Sequence, residues 1–226
     1  MKRLILAATI VFGVCLLSHS AFANAKVDSE NLVDKAAGVV QGFTVDPDLG
    51  WFREKVKDAK ALLIIPQSLK GAFFVGGSGG SGVLVTKDTE TGTWGEPAFY
   101  SVGSISLGVQ IGAEASEVIL MIMTDRGMEK LLTSSFKLGA DVKVAAGPVG
   151  AGAKAQTADV LSYSRAKGAF VGMSLDGAIV KTSDKRNEAY YGQPVSPTDI
   201  IIRKTVANPQ ADKLRNAVAE VSSANK

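Results

Sequence analysis

The chain has one cysteine and one histidine in 226 residues, Cys15 and His19. Both fall in a segment with the form of an export signal. Lys2 and Arg3 open it, an apolar run from Leu4 to Leu17 follows, and small residues stand at Ala21, Ala23 and Ala25. That run is shorter than the ~20 residues of a membrane-spanning helix. Val14 ahead of Cys15 argues against a lipid-anchor signal. Residues 1–25 are therefore expected to be a signal peptide, removed on export to a periplasmic or secreted location. The remainder, 26–226, contains neither thiol nor imidazole. Disulfides, thiolate or imidazole metal sites and imidazole general-base catalysis are excluded together. No metal and no cofactor is predicted.

Charge of one sign is also scarce. The whole chain is +3, and losing Lys2 and Arg3 with the signal leaves +1. Such a balance gives no argument for nucleic acid. No low-complexity linker divides residues 26–226, which suit one domain with a sizeable core.

Glycine is abundant, 24 residues in all, and its clustering is informative. Residues 71–85 read Gly-Ala-Phe-Phe-Val-Gly-Gly-Ser-Gly-Gly-Ser-Gly-Val-Leu-Val, with a looser copy at 168–180. Gly77, Gly79 and Gly82 spell G-x-G-x-x-G, and Gly76 to Gly80 around Ser78 spell G-x-S-x-G. Both motifs require a helix to follow. Val83, Leu84, Val85 and Thr86 follow instead, a strand-like run, so neither chemistry is assigned. Gly77, Gly79, Gly80 and Gly82 are expected to be structural, forming a turn between strands of one bent sheet.

Apolar residues at Leu32, Ala36, Val39, Val40 and Phe43 have helical spacing from Asp28 to Phe43, with Ser29 or Asp28 as the expected cap. Lys35 is the only cation on the opposite face. A short helix is expected over Trp51–Lys60. Its apolar stripe is Phe52, Val56 and Ala59, and its basic stripe is Arg53, Lys57 and Lys60, flanked by Lys55 and with Trp51 at its edge. Tryptophan beside lysine and arginine suits a membrane interface; the alternative is a solvated face paired by Glu54 and Asp58. Ala61–Ile65 reads as a buried strand ended by Pro66, and Asp125 as the cap of a short helix. Residues 182–197 read as a polar loop, and Asn208 with Pro209 as the start of a last helix.

An ordered series of motifs gives the chain a resemblance. Trp51-Phe52-Arg53, Asp58 to Ile64, Gly77 to Val83, Gln110 to Glu114, Val144 to Gly150 and Tyr163 to Gly168, with Ser174 to Gly177 after it, make residues 30–220 similar to a bacterial secreted member of the SYLF domain family. The resemblance implies a non-enzymatic domain that binds phospholipid headgroups. It also implies phosphoinositide ligands and an assisting N-terminal amphipathic helix in eukaryotic relatives, and contact with the actin machinery in fungal ones. This sequence shows no Src-homology-3 or FYVE domain, and an exported protein is expected to meet a general anionic phospholipid.

The expected fold is α+β: a β-rich, strongly bent, mainly antiparallel sheet with flanking N- and C-terminal helices. The expected function is non-enzymatic binding of anionic phospholipid at an envelope membrane surface through Trp51, Arg53, Lys55, Lys57, Lys60 and Lys70. Lys70 precedes the glycines, whose backbone N–H groups can face an anion. One alternative is an envelope scaffold that binds protein or glycan. Another is a hydrolase using carboxylates such as Glu114 and Asp141.

Overall fold

The computed structural model of the chain describes residues 2–72, 75–107, 112–147, 157–166, 169–170 and 175–223. Helix α1 runs unbroken over Lys2–Val45. The expected start at Asp28 or Ser29 is thereby corrected. No proline or glycine interrupts the chain between Val14 and Gly38, and Ser29 is buried, its Oγ donating to the Ala25 carbonyl at 2.8 Å. From Ser29 onward α1 buries Ala36, Val39, Val40 and Phe43 of the predicted stripe, together with Val33, while Leu32 is half-buried.

Asp46 then caps a single 3-10 turn over Pro47–Leu49 by accepting from the Asp48 N–H at 3.0 Å. Helix α2 covers only Gly50–Lys55 before a second 3-10 turn over Val56–Asp58. Four long strands follow: β1 (Ala61–Ala72), β2 (Val75–Thr86), β3 (Ala98–Leu107) and β4 (Gly112–Ile122). Pro66 does not end β1. The pairing register shifts around it instead, between Ile65 and Ser68 against β4. Proline has no N–H to donate, so the ladder absorbs it as a bulge. The glycines of residues 76–82 lie inside β2 rather than in a turn: all pair with β3, Gly76, Gly77 and Gly79 pair also with β1, and Gly80 and Gly82 stand opposite the register shift between Ile64 and Leu69.

Helix α3 (Asp125–Leu131) is capped by Thr124, which accepts from the Gly127 N–H at 3.2 Å. The cap therefore falls one residue before the expected Asp125. The short strands β5 (Ser135–Lys137), β6 (Val144–Ala146), β7 (Val160–Ala166), β8 (Ala169–Phe170) and β9 (Ile179–Thr182) complete the sheet. Residues 184–191, expected as loop, form helix α4 (Asp184–Tyr191). Helix α5 (Pro197–Ile201) follows, and α6 (Asp212–Ser223) closes the chain after a 3-10 turn capped by Asn208.

The strand order is β5-β9-β3-β2-β1-β4-β7-β6, with β8 pairing β7. Every pairing between these strands is antiparallel except β6 with β7. The two ends of this order, β5 and β6, are consecutive in the chain. Flattened, eight strands at ~4.8 Å would separate the edges by roughly 34 Å. Residues 138–143 join those edges through a tight turn, with the Gly139 N–H bonded to the Val142 carbonyl at 2.9 Å. The sheet is therefore strongly curled.

Curling gives β1 two buried faces. Ala61, Leu63 and Ile65 point inside with Leu84, Tyr100, Leu120 and Val180. Leu62 and Ile64 point outward with Val83, Val85, Ile119 and Met121, beneath Phe43 of α1, Phe52 of α2 and Leu214 and Val218 of α6. Both faces being covered explains the continuous apolar run.

Candidate functional site

The corner between α1 and α2 holds most of the expected lipid-contacting residues. A helix leaves its last carbonyls without internal partners. Arg53 meets them: its Nη1 donates to the Thr44 carbonyl at 3.2 Å and to the Asp46 carbonyl at 2.5 Å. The positive guanidinium also complements the negative end of the α1 dipole. Lys60 pairs with Asp125 at 2.8 Å. The Lys55 ammonium lies 5.6 Å from the centre of the Trp51 ring, and Trp51 is half-buried with its ring 6.3 Å from that of Tyr163. Lys57 is exposed.

The change from α-helix to 3-10 turn at Val56 breaks the 3.6-residue period, so Arg53, Lys57 and Lys60 do not form a single stripe. Acids share this corner: Asp48, Glu54 and Asp58 are all exposed. Lys70 lies in β1 opposite Ser78 of β2 and Glu114 of β4.

The glycines of β2 differ in what they accommodate. A Cβ at Gly80 would stand 2.5 Å from the Gln67 carbonyl oxygen, and one at Gly82 2.8 Å from Leu63 Cδ1. At Gly79 it would meet only the Val102 oxygen at an ordinary 3.6 Å. Gly77 pairs with Gly71 and Ile105.

Of the two candidate carboxylates, Asp141 staples its own hairpin by accepting from the Lys137 N–H at 2.7 Å. The Glu114 side chain lies outside the described residues. Among the described residues no group of histidine, cysteine, aspartate and glutamate could hold a metal ion, and no helix is long and apolar enough to cross a membrane.

A groove runs along α1 from this corner. The helix contributes Asp28, Asn31, Leu32, Lys35, Gly38 and Val39, positions that recur on one face. The opposite wall is the Pro66 bulge of β1. Two compartments, about 680 Å³ and 350 Å³, share Lys35, Pro66 and Gln67. Arg165 of β7 lines the larger and Arg186 of α4 the smaller. Arg165 is 17% exposed, and its Nε and Nη2 donate to Glu117 Oε2 at 2.9 and 2.6 Å. Its Nη1 is 3.5 Å from Asp46 Oδ2, and its guanidinium lies 5.1 Å from the Phe43 ring centre. Gly42 makes this possible, because a Cβ there would come 2.5 Å from Arg165 Nη2.

Three of these groove residues carried some sequence signal: Lys35 as the lone cation on its helix face, Gly38 inside a helical pattern, and Arg165 within a family motif. Arg186 carried none, because its helix read as a loop.

The curled sheet thus carries its helices on the outer face, with a groove between α1 and the Pro66 bulge. The family model described as Ysc84, Las17-binding protein actin regulator, matches residues 103–221, more than half of the sequence, and the chain belongs to this family. SH3 domain-containing YSC84-like protein 1 of Homo sapiens is 29% identical over 191 residues, covering 80% of this chain and 55% of that protein. Protein YSC84 of Saccharomyces cerevisiae is 29% identical over 194 residues, covering 80% of this chain and 41% of its own length. LAS seventeen-binding protein 3 of the same yeast matches at 29% over 194 residues, 42% of its length. The chain thus spans about half the length of the curated relatives it matches. Of these relatives, LAS seventeen-binding protein 3 is named for what it binds.

Proposed function

We propose that the protein binds anionic phospholipid headgroups, without catalysis, at an envelope membrane surface. The observation that carries this reading is the α1–α2 corner. Val45, 80% exposed, ends α1 there, the Lys55 ammonium lies over the Trp51 ring of α2, and Lys57 is in solvent. An apolar tip, an amphipathic ring and cations within one corner suit the boundary between headgroups and acyl chains.

Flotation with phosphatidylglycerol-containing and purely phosphatidylcholine vesicles tests it. The protein should float with the first and not the second. Lys55→Gln with Lys57→Gln should weaken binding about 30-fold, at about 1 kcal/mol per cation. Equal flotation with both vesicles would end the anionic reading.

Export to that surface follows from the signal at residues 1–25. The exported protein should begin at Asn24 or Lys26 and carry no acyl group, as read by intact mass. A lipid mass on Cys15 would contradict it.

A second reading, a scaffold for a protein partner, draws on the relatives named as Las17-binding. It also draws on a separate groove of about 770 Å³ between residues 86–96 and 200–207, where Ile202 is 58% exposed. Pull-down with vesicle-free envelope extract separates it from the lipid reading.

A further inference from the structure

We propose that the groove along α1 seats the phospholipid headgroup and selects one whose phosphodiester carries a hydroxylated head, as glycerol does. This rests on the membrane reading above and assigns the selective contact to a different place from the α1–α2 corner.

Gly38 is the first argument. Glycine weakens the interior of a helix relative to alanine, so a reason for it is owed. Gly42 has one inside the protein, the Arg165 guanidinium that lies against it. Gly38 has none: a Cβ there would meet nothing within 4 Å. Its missing side chain serves the open space of the larger compartment, whose volume of about 680 Å³ lies within the range of small-molecule sites.

Charge is the second argument. Among the described residues, Lys35 and Arg186 carry no ion pair, and Lys35 lines both compartments. One exposed acid, Asp28, shares the smaller compartment with them, and Glu117 in the larger is paired with Arg165, whereas at the α1–α2 corner three exposed acids, Asp48, Glu54 and Asp58, stand among the cations. A phosphate gains more from Lys35 and Arg186 than from that balanced surface.

Glu117 supplies a hydroxyl acceptor. Both bonds from Arg165 go to its Oε2. Arg165 offsets its charge, so it does not drive phosphate away, and Oε1 remains an acceptor for a hydroxyl. Ser116 and Gln67 add polar groups beside it. Leu69, 55% exposed on the rim of the smaller compartment, gives the glyceride end an apolar landing.

The test uses vesicles of phosphatidylglycerol or phosphatidate in phosphatidylcholine at matched surface charge. The parent should bind phosphatidylglycerol at least tenfold more tightly. Gly38→Phe, which fills the groove, and Lys35→Gln with Arg186→Gln should each lose at least tenfold on phosphatidylglycerol, while Lys213→Gln on α6 should not. Gly38→Ala should melt no lower than the parent, showing that folding does not require the glycine. Excess glycerol 3-phosphate should release the bound protein, and inorganic phosphate at equal ionic strength should not.

Equal affinity for the two lipids, or equal release by the two phosphates, overturns the hydroxyl selectivity. If Gly38→Phe fails to fold, the pair of exposed Lys35 and half-buried Arg186 still decides the location. Parent binding that survives the groove variants overturns this inference alone; a parent that binds no anionic vesicle overturns the membrane reading with it.

Discussion

Arg53 contributes to the fold through carbonyls rather than through an ion pair. Replacing it with glutamine strands the Thr44 oxygen at the end of α1 and leaves the Asp46 oxygen with only the Leu49 N–H, at 3.2 Å. An unmade bond to a charged donor costs about 1–3 kcal/mol, so Arg53→Gln should lower the thermal midpoint by several degrees in calorimetry. An unchanged midpoint would show that water replaces the guanidinium at no cost. Glycines in β2 make a paired test. Gly80→Ala drives a methyl into the Gln67 carbonyl and should destabilise by about 1–3 kcal/mol. Gly79→Ala should fall within about 0.5 kcal/mol of neutral, because its Cβ makes only an ordinary contact. Denaturant melts of both variants check the pair. The sequence shows these glycines as a cluster and cannot tell a turn from a close approach, since both satisfy the same composition. The structure separates them by what stands opposite each one.

Elements divide by how much of their cause is local. The buried stripe of α1 was legible because five apolar residues repeat along one face, and the 3-10 start of the last helix was legible because Asn208 and Pro209 are strong local signals. Helix α4 was not. Its residues Asp-Lys-Arg-Asn-Glu-Ala-Tyr-Tyr have little amphipathic pattern, and Asn187 and Tyr190 are buried by tertiary contacts, with Asn187 Oδ1 accepting from the Phe99 N–H at 2.9 Å. Helix α5 carries a testable local device. Asp199 accepts from the Ser196 hydroxyl and N–H and from Arg203, and these hold its carboxyl down at about 2. A depressed folded-state value contributes stability above the unfolded carboxyl's ~3.9 and loses it as pH falls through about 2. Asp199→Asn should therefore speed amide exchange in α5 relative to the parent at pH 5, and the gap should close near pH 2. A gap that persists at pH 2 would assign the effect to shape and not to charge.

At the scale of the molecule, the curl depends on pairings far apart in sequence. Ala61–Ile65 announced a buried strand, but the junction of β5 with β6 that forces the edges together has no local signature. The groove shares this fate: Lys35, Glu117, Arg165 and Arg186 meet only because α1 crosses the sheet at the Pro66 bulge. This has a kinetic consequence. Without residues 1–25 the net charge is +1, too small for the whole protein to be steered toward an anionic surface. On the proposed membrane reading, attraction comes from the local cations Lys35, Lys55, Lys57 and Arg186, which act once contact is made. At about 1 kcal/mol each they supply roughly three decades of affinity. Raising salt from 0.1 to 1 M shortens the screening length from about 10 Å to about 3 Å and should remove most of that gain. The loss should appear in the dissociation rate, with the association rate changing less than about threefold, because long-range steering is absent from the start. Stopped-flow mixing with phosphatidylglycerol vesicles at the two salts reads both rates. A tenfold fall in the association rate would show that the field of the whole molecule, and not these four side chains, draws the protein to its surface.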